Sequence, residues 1–192
     1  MKLYENELLE FIWTLSPGII LIFLGIPSIE LLYSIEIVNH SSLTLKITGN
    51  QWFWSYDYSS FVNLRFDSFI TPYESLQIGD FRLLEVDNSV VLPFNTSTLC
   101  MVTSNDVIHS WALPSLNVKY DANPGRLNSF YLFSSLPGVF YGQCSEICGS
   151  NHSFIPIKLE IVSPLIFKNW WTKISTKRSS PTILRASLRV AR

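Results

Sequence analysis

A run of nineteen residues without a charged side chain, residues 11–29, lies between Glu10 and Glu30. A helix rises about 1.5 Å per residue, so this run extends about 28 Å and matches the hydrocarbon core of a bilayer. We therefore predict one transmembrane helix. Pro17 and Pro27 each leave a helix carbonyl without its donor, which membrane helices tolerate where they pack against other protein segments. The run thus predicts a membrane helix with a protein neighbour.

A cleaved signal peptide or a buried helix of a soluble protein would also contain an apolar run. A signal peptide begins with basic residues and ends in a small-residue cleavage site. Here the flank carries Glu5, Glu7 and Glu10, and no such cleavage site follows. The flank therefore favours a membrane span. Because Lys2 is the only basic residue before it, charge alone does not orient the helix.

The composition narrows the class of protein and of partner. Hydrophobic residues make up 47% of the chain and charged residues 15%, which excludes a disordered protein. Residues 1–163 carry seven basic and fifteen acidic groups, whereas residues 164–192 carry seven basic groups and no acidic one. The acidic part disfavours nucleic acid as a partner and favours basic proteins or cations. We predict an N-terminal flank with the membrane helix over residues 1–40, a soluble domain over 41–163 and a basic C-terminal extension over 164–192.

Short runs of β-branched and aromatic residues replace the helical pattern after residue 42, and turn signals separate them. These runs are residues 43–48, 52–58, 81–86, 90–94, 98–103, 107–113, 128–133, 138–141 and 154–162. Their spacing predicts a mainly β domain, an antiparallel sandwich or barrel of the Greek-key type. The sequence contains neither a glycine-rich nucleotide loop nor a Ser-His-Asp context, which disfavours nucleotide-binding enzymes and serine hydrolases.

The strongest chemical signal is a pair of cysteines, Cys144 and Cys148, followed by His152, with a second histidine at His109. Nearby glycine and proline residues predict a loop between strands that aims several side chains inward. Thiolates and imidazoles suit copper, zinc or iron–sulfur chemistry, and the Cys-x-x-x-Cys spacing fits structural zinc as well. A mononuclear copper site uses one cysteine and two histidines. The second cysteine favours two metal ions bridged by two thiolates, although the spacing leaves zinc open.

Five longer motifs carry a family resemblance. They are Q-W-F-W-S-Y at residues 51–56, R-L-L-E-V-D-N at 82–88, D-V-I-H-S-W at 106–111, P-G-R-L-N at 124–128 and Y-G-Q-C-S-E-I-C-G-S-N-H-S-F at 141–154. In this order, the motifs resemble subunit II of cytochrome c oxidase. The resemblance covers roughly residues 10–162 and rests on long, specific motifs.

The resemblance implies a cupredoxin-like Greek-key barrel that carries a dinuclear copper A centre. By match to the family motif, Cys144 and Cys148 bridge both coppers through sulfur, while His109 binds one copper and His152 the other. The resemblance also implies that the backbone carbonyl of Glu146 is a weak copper ligand. In this family the Glu146 side chain also reaches a magnesium ion that is shared with subunit I of the oxidase. The implied cofactors are therefore two copper ions and one magnesium ion.

The resemblance also implies cytochrome c as a partner. Trp52 matches the aromatic residue through which the family receives electrons from cytochrome c, although taken alone it fits a core aromatic of any barrel. Four carboxylates, Asp57, Asp67, Asp87 and Asp106, match the acidic docking positions of the family. Such carboxylates steer a basic protein by long-range attraction and raise the encounter rate more than the affinity.

Glu10 stands at the start of the apolar run. Taken alone it fits a solvated flank of the helix, because ionisable residues at a membrane boundary are often solvated. The resemblance matches it to the subunit II glutamate at the mouth of the K proton path into subunit I. The same resemblance implies a mitochondrial inner-membrane protein of respiratory complex IV, whose copper domain faces the intermembrane space.

One departure from the family lies in the metal site. Ile155 follows His152 by three residues, at the position where the family carries a methionine as axial copper ligand. Isoleucine has no donor atom, so we expect a shifted reduction potential with the thiolate bridge retained. An alternative is a misassigned or edited codon at this position. The count of only two methionines in 192 residues is compatible with that alternative.

Two further departures concern the ends of the chain. The family has two membrane helices in a hairpin, whereas one span is predicted here, so we expect a separate polypeptide to supply the first helix. The basic extension over residues 164–192 runs past the usual end of the family. Its aromatic start is expected to dock while the remainder contacts another subunit or anionic lipid, or the extension is simply solvated.

The sequence thus predicts the subunit of respiratory cytochrome c oxidase that receives electrons from ferrocytochrome c and passes them to haem in subunit I, where oxygen is reduced to water. A competing class is a membrane-anchored β domain with a structural zinc site and no redox role. A third is a quinol oxidase subunit without copper. Relatives of that class lack the thiols that Cys144 and Cys148 retain.

Overall fold

The computed structural model describes residues 4–35, 40–58 and 64–179. The chain divides into two compact units, Met1–Asn39 and His40–Arg192. The first unit contains one helix and the second contains the sheets, in agreement with the mainly β fold and N-terminal apolar helix that the sequence predicts.

The first unit is the helix α1, Glu7–Ile35. Asn6 begins it, because its side-chain Oδ1 accepts a hydrogen bond from the Leu9 N–H at 3.1 Å, and Glu7 and Glu10 occupy the first turn, where the helix dipole favours carboxylates. The mean hydropathy of its apolar window is 2.0, and none of the described residues of α1 is buried. Its length and exposed apolar surface match a membrane span.

In its described residues, the second unit contains ten strands and a C-terminal helix. The strands are β1 Leu43–Asn50, β2 Phe53–Tyr58, β3 Leu64–Ser68, β4 Val90–Pro93, β5 Thr98–Ser104, β6 His109–Leu113, β7 Val118–Ala122, β8 Asn128–Leu132, β9 Gly138–Gln143 and β10 Pro156–Val162. The helix is α2, Pro164–Ser179. Strands β3 and β7 were absent from the sequence prediction, because each is short and charged or polar at alternate positions.

The strands form a five-stranded sheet of order β3-β2-β1-β5-β8, a three-stranded sheet of order β4-β10-β9 and the pair β6-β7. Most neighbours are antiparallel, but β1 pairs with β5 and β4 pairs with β10 in parallel. The purely antiparallel expectation is therefore wrong at these two pairs. Parallel neighbours need a long connection, and in both pairs several other elements lie between the two strands in sequence.

Alternate residues of the strands fill a common core. In β5 every second residue is buried, and Trp54, Tyr56 and Tyr58 of β2 belong to the same buried cluster. Cys100 of β5 is fully buried, and burial raises the pKa of its thiol. It packs as a small apolar side chain in this core, as free cysteine commonly does.

The predicted strand at residues 81–86 is instead a turn. The N–H groups of Leu84 and Glu85 both donate to the Phe81 carbonyl, and Leu83 has a φ of 67°. Within this segment, which the structure describes in full, only Val86 forms a bridge, to Ile70. The strand prediction for this segment is wrong because an apolar composition fits a turn as well as a strand. The turn places the Glu85 side chain in a buried position.

The start of the basic extension is the helix α2, whose aromatic face packs on the core. Phe167, Trp170, Trp171 and Ile174 contact the buried cluster, and the Trp170 and Trp171 rings lie 5.6 and 5.7 Å from the ring of Tyr58. The aromatic start of the extension is thus docked. The remainder of the predicted extension, residues 180–192, lies outside the described residues.

Candidate metal centre

The loop between β9 and β10 carries both metal-site cysteines and His152, while His109 begins β6. Two backbone hydrogen bonds hold the base of this loop. The Cys144 N–H donates to the Ile155 carbonyl at 3.0 Å, and the Ser145 N–H donates to the Ser110 carbonyl at 3.0 Å. These bonds hold the loop to the residue that precedes β10 and to β6. They bring the four predicted ligands together.

The four side chains form a continuous row. His109 Nδ1 lies 3.8 Å from Cys144 Sγ, the two sulfurs of Cys144 and Cys148 lie 3.9 Å apart, and Cys148 Sγ lies 3.5 Å from His152 Nδ1. The donor atoms of His109, Cys144 and Cys148 all lie within 4.8 Å of one another. His152 lies outside this group of three and contacts Cys148. Each cysteine thus has one histidine beside it.

These separations fit a metal site. Zinc binds thiolate sulfur at about 2.3 Å and imidazole nitrogen at about 2.0–2.1 Å. Two sulfurs that share an ion at these bond lengths therefore lie within about 4.6 Å of each other. The same bond lengths keep a sulfur and a nitrogen on one ion within about 4.4 Å. All three separations in the row obey these limits. The cysteines are free thiols, since a disulfide would bring the sulfurs to about 2.05 Å.

Glu146 lies between the two cysteines and presents its backbone to the site. The Cys144 thiol donates to the Glu146 carbonyl, with 3.3 Å between sulfur and oxygen. The role of this carbonyl as a weak ligand stays a prediction. The Glu146 side chain is half-buried, and its predicted contact with magnesium stays a prediction.

Asp106 fixes the orientation of His109. Its Oδ1 lies 2.8 Å from His109 Nε2 and accepts the Val107 N–H at 2.6 Å, while Oδ2 accepts the Gln51 N–H at 2.6 Å. With Nε2–H bound to a carboxylate, Nδ1 is the ring nitrogen that faces Cys144. A metal-binding histidine characteristically donates its other N–H to such an acceptor. The ring is completely buried, with the edge of Trp54 at 5.9 Å between centroids.

The pKa shifts follow from this arrangement. Burial lowers the pKa of His109, but its hydrogen bonds to Cys144 and Asp106 outweigh burial and raise the pKa overall. Burial opposes ionisation of Cys144, yet the hydrogen bonds with His109, Glu146 and Ser110 and the charge of His109 together outweigh burial and lower the thiol pKa. Burial and the neighbouring Cys144 raise the pKa of Cys148. Two anions this close need cations between them, so the metal-free site resists full ionisation of both thiols.

Gly142 permits the close approach of β9 to β6. A Cβ atom at Gly142 would lie 1.8 Å from the Ala112 carbonyl oxygen, so no larger residue fits without movement of the backbone. Gly142 stands two residues before Cys144, and Ala112 three residues after His109. The glycine therefore sets the distance between the two strands that carry the ligands.

Comparison with known proteins agrees with this geometry. The family description "Cytochrome C oxidase subunit II, periplasmic domain" matches residues 43–162, and "Cytochrome C oxidase subunit II, transmembrane domain" matches residues 1–31. Cytochrome c oxidase subunit 2 of Choristoneura rosaceana is 54% identical over 168 residues, which are 88% of this chain and 74% of that protein. This chain belongs to the cytochrome c oxidase subunit II family. It is thus a subunit of an oxidoreductase complex.

Other members of the subunit II family agree with this assignment. The Drosophila melanogaster protein is 53% identical over 168 residues, 88% of this chain and 74% of its own length. The crystal structure of the periplasmic domain of subunit II from Bradyrhizobium japonicum has a TM-score of 0.68 at 43% identity, and the match covers 73% of this chain and 99% of that one. This likeness confirms the cupredoxin-like fold. The insect relatives and the transmembrane match support a mitochondrial membrane protein.

A second solved relative is a mixed disulfide intermediate between a thioredoxin-like protein and subunit II of cytochrome c oxidase. Its TM-score is 0.64 at 42% identity, with 74% of this chain and 96% of that chain covered. The mixed disulfide is a property of that relative. Family membership implies copper for the present chain, and the row of thiols and imidazoles is a possible place for it.

Trp52, the predicted electron-entry residue, lies against the loop between β9 and β10. A Cβ atom at Gly149 would lie 3.2 Å from Trp52 Cζ2 and 3.3 Å from Trp52 Nε1, so the indole packs directly on this glycine. Trp52 is half-buried and, with Ile70, Asn151 and Phe154, lines an open cavity of about 380 Å³. The indole therefore connects the protein surface to the loop that follows Cys148.

Two of the predicted docking carboxylates accept hydrogen bonds within the domain. Asp67 accepts the Ser55 hydroxyl at 2.7 Å, and Asp87 accepts the Phe69 N–H at 2.8 Å. Asp57 is half-buried on β2, in register with Lys46 on one neighbouring strand and Arg65 on the other. These hydrogen bonds do not exclude docking, and the docking role of Asp57, Asp67, Asp87 and Asp106 stays a prediction.

Ile155 and Glu10, the two remaining predicted positions, lie in different surroundings. Ile155 is 1% exposed and belongs to the same buried cluster as Cys144 and Cys148. Its carbonyl accepts the Cys144 N–H, and its aliphatic side chain has no donor atom. Glu10 lies in the first turn of α1, and its side chain is exposed. Its role in a proton path stays a prediction.

Sequence reasoning missed Gln51 as a contact of the metal loop. Its amide Nε2 donates to the Cys148 carbonyl at 2.9 Å across 97 residues of sequence. It also missed the pairing of Lys158 with Glu85, whose charged atoms lie 2.5 Å apart. Neither contact has a signal in local spacing, because both depend on which strands become neighbours.

Proposed function

We propose that this subunit holds a dinuclear copper A centre, accepts electrons there from ferrocytochrome c and passes them to haem in subunit I. Cys144 and Cys148 would bridge the metals, His109 and His152 would each bind one, and the Glu146 carbonyl would be a weak ligand. The observation that carries the proposal is the row of four donors, in which two adjacent thiols are flanked by one imidazole each.

The donor set favours a thiolate-bridged pair over a single ion. Two copper ions that share two thiolates supply a one-electron carrier in which the electron is spread over both metals. A single structural zinc would gather all four side chains around one point. Here His152 approaches Cys148 and lies outside the group formed by His109, Cys144 and Cys148. This open row suits two metals better than one.

The protein residues hold the donors in place before any metal arrives. Asp106 selects the His109 ring nitrogen that faces sulfur, and Trp54 and the buried strand β6 exclude water from it. The loop base is fixed by backbone hydrogen bonds on both sides. Preorganised ligands change position little between oxidation states, and a small rearrangement favours fast electron transfer.

Electrons would arrive through Trp52, which lies between the surface and Gly149. We assign Asp57, Asp67, Asp87 and Asp106 to the face that attracts the basic cytochrome c, and their contribution is to the encounter rate. The copper domain would face the intermembrane space of the mitochondrion, above the inner membrane that α1 crosses.

Contacts with other parts of the oxidase complete the proposal. The Glu146 carboxylate would bind a magnesium ion shared with subunit I, and Glu10 would stand at the mouth of a proton path into subunit I. A thioredoxin-like protein forms a mixed disulfide with one relative. Because the sulfurs of Cys144 and Cys148 lie 3.9 Å apart, a two-electron oxidant would join them as a disulfide, and a dithiol reductant of this class would return them to two thiols before copper is bound.

The function is tested by stopped-flow reduction of the copper-loaded full chain with ferrocytochrome c. Substitution Trp52→Leu should slow reduction at least about tenfold, because it removes the indole between the surface and Gly149. A tenfold change corresponds to about 1.4 kcal/mol in the barrier. The copper content should stay unchanged. Phe133→Leu, at an exposed aromatic residue after β8, is the control and should leave the rate unchanged. Equal rates for Trp52→Leu and the wild type would contradict the assigned role of Trp52.

A further inference from the structure

Gln51 contacts both halves of the metal site from outside the ligand set. It lies in the turn between β1 and β2, directly before Trp52, 55 residues from Asp106 and 97 residues from Cys148 in sequence. Its backbone N–H donates to Asp106 Oδ2 at 2.6 Å, and its side-chain Nε2 donates to the Cys148 carbonyl at 2.9 Å. One residue thus connects the two chain segments that supply all the ligands.

The two hydrogen bonds act on different ligands. Asp106 holds His109, which faces Cys144, so the backbone bond of Gln51 supports the first half of the row. The Cys148 carbonyl belongs to the peptide that leads into Gly149 and on to His152, so the side-chain bond supports the second half. A substitution at position 51 removes only the second bond, because every residue except proline keeps the backbone N–H.

Gly149 is shaped to receive this side chain. Its φ is +123°, a conformation that favours glycine, and a Cβ atom there would lie 3.2 Å from Gln51 Nε2. The same Cβ atom would also crowd the Trp52 indole. A side chain at position 149 would therefore crowd the Gln51 amide that donates to the Cys148 carbonyl.

We propose that the Gln51 side-chain amide is a positioning group that fixes the Cys148 and His152 half of the centre. The inference rests on the proposed copper function and deepens it. Removal of the amide frees the Cys148 carbonyl while Asp106, His109 and Cys144 keep their contacts. The Cys148 and His152 half of the donor row would then be held less firmly than the His109 and Cys144 half. With copper bound, the shared electron would favour one of the two metals, and copper would be lost sooner.

The test uses the full chain in detergent, loaded with copper. Gln51→Met keeps the length of the side chain and removes the donor, and Gln51→Asn keeps an amide that is one methylene too short. The matched control is Gln77→Met, at a glutamine near the Asp80 turn. The measurements are the rate of copper loss to a chelator and the copper hyperfine pattern in paramagnetic resonance.

We expect both Gln51 variants to lose copper about tenfold faster than the wild type, the lower end of what outer contacts of metal ligands contribute. We also expect their hyperfine pattern to shift from two equivalent coppers toward one, with Gln77→Met unchanged. Wild-type release rates and spectra in both Gln51 variants would overturn the inference. So would unfolding of the metal-free Gln51 variants, since it would show a general structural role.

The outcome separates this inference from the function it rests on. If the wild-type chain shows the mixed-valence signal and the Gln51 variants show the same signal and release rate, only the positioning role fails. If the wild-type chain binds zinc or a single copper, the proposed centre itself fails and the inference fails with it.

Discussion

Asp106 and His109, three residues apart, share a hydrogen bond of 2.8 Å between Oδ1 and Nε2 that fixes which ring nitrogen faces Cys144. The carboxylate also accepts the N–H groups of Gln51 and Val107. Asp106 thus joins the β1–β2 turn, the start of β6 and the metal site. The family resemblance assigns Asp106 to the docking face. The same carboxylate also orients His109, a predicted copper ligand.

Asp106→Asn should weaken copper binding about 10–100-fold, the effect expected when the outer partner of a metal-binding histidine is lost. An asparagine has one acceptor oxygen, so its NH2 group would oppose the N–H of either Gln51 or His109. Copper affinity is measured by competition with a chelator. Asp121→Asn, at an exposed carboxylate of β7, is the control. Unchanged copper affinity together with slower reaction with cytochrome c would leave Asp106 a docking residue only.

Gly142→Ala should destabilise the domain by about 3 kcal/mol, because the added methyl group meets the Ala112 carbonyl and overpacking of this kind costs up to about that much. Thermal unfolding of the metal-free chain measures the change. Gly138→Ala, on the same strand, meets only the movable Phe140 ring at 3.3 Å and should cost about 1 kcal/mol or less. Equal effects of the two substitutions would contradict the close approach of β9 and β6.

Lys158→Met should destabilise the domain by about 2 kcal/mol, because it leaves Glu85 largely buried without its charged partner. The Glu85 side chain is 9% exposed and also accepts the Tyr141 hydroxyl at 2.8 Å. The double variant Glu85→Gln with Lys158→Met should recover most of this loss. A double variant as unstable as the single one would contradict the pairing.

The same pair predicts a pH dependence. Burial raises the pKa of Glu85, but the hydrogen bonds from Lys158 and Tyr141 outweigh burial and lower the pKa overall. A lowered carboxyl pKa stabilises the fold above the ordinary glutamate pKa of about 4.3, and this stabilisation is lost as the pH falls through the folded-state value. The stability difference between wild type and Lys158→Met should therefore shrink below about pH 4.3. A difference that stays constant into acid would contradict it.

Ile155→Met should lower the reduction potential of the copper-loaded chain, because a thioether donor stabilises the oxidised, more positive state. The fold should tolerate the change, since isoleucine and methionine have similar volumes. Mass spectrometry of the peptide across residues 149–158 shows first which residue the natural chain carries. An isoleucine mass ends the alternative of a misassigned or edited codon. An unchanged potential in Ile155→Met would show that this position is not axial to copper.

The sequence predicted the parts of the molecule that leave a local signature. The apolar run predicted α1, the alternating apolar residues predicted most strands, and the spacing of Cys144 and Cys148 with two histidines predicted the metal site. The β3 and β7 strands escaped because they are short and polar. The segment around Leu83 was misjudged because an apolar composition does not distinguish a strand from a turn with a positive φ.

Contacts between distant segments left no such signature. The bond from Gln51 to Cys148 and the pairing of Glu85 with Lys158 each depend on the order of strands in the sheets, which periodicity does not encode. The parallel pairing of β1 with β5 is of the same kind. The sequence therefore identified the proposed ligands, while the groups that hold them in place required the structure.

The most direct test of the central proposal is a metal count on the purified full chain, combined with paramagnetic resonance. Two thiols in a row with two imidazoles predict two coppers per chain and a hyperfine pattern of one electron shared by equivalent copper nuclei. A chain that contains zinc or a single copper, or a copper-loaded chain in which Cys144 and Cys148 are joined as a disulfide, would contradict the account.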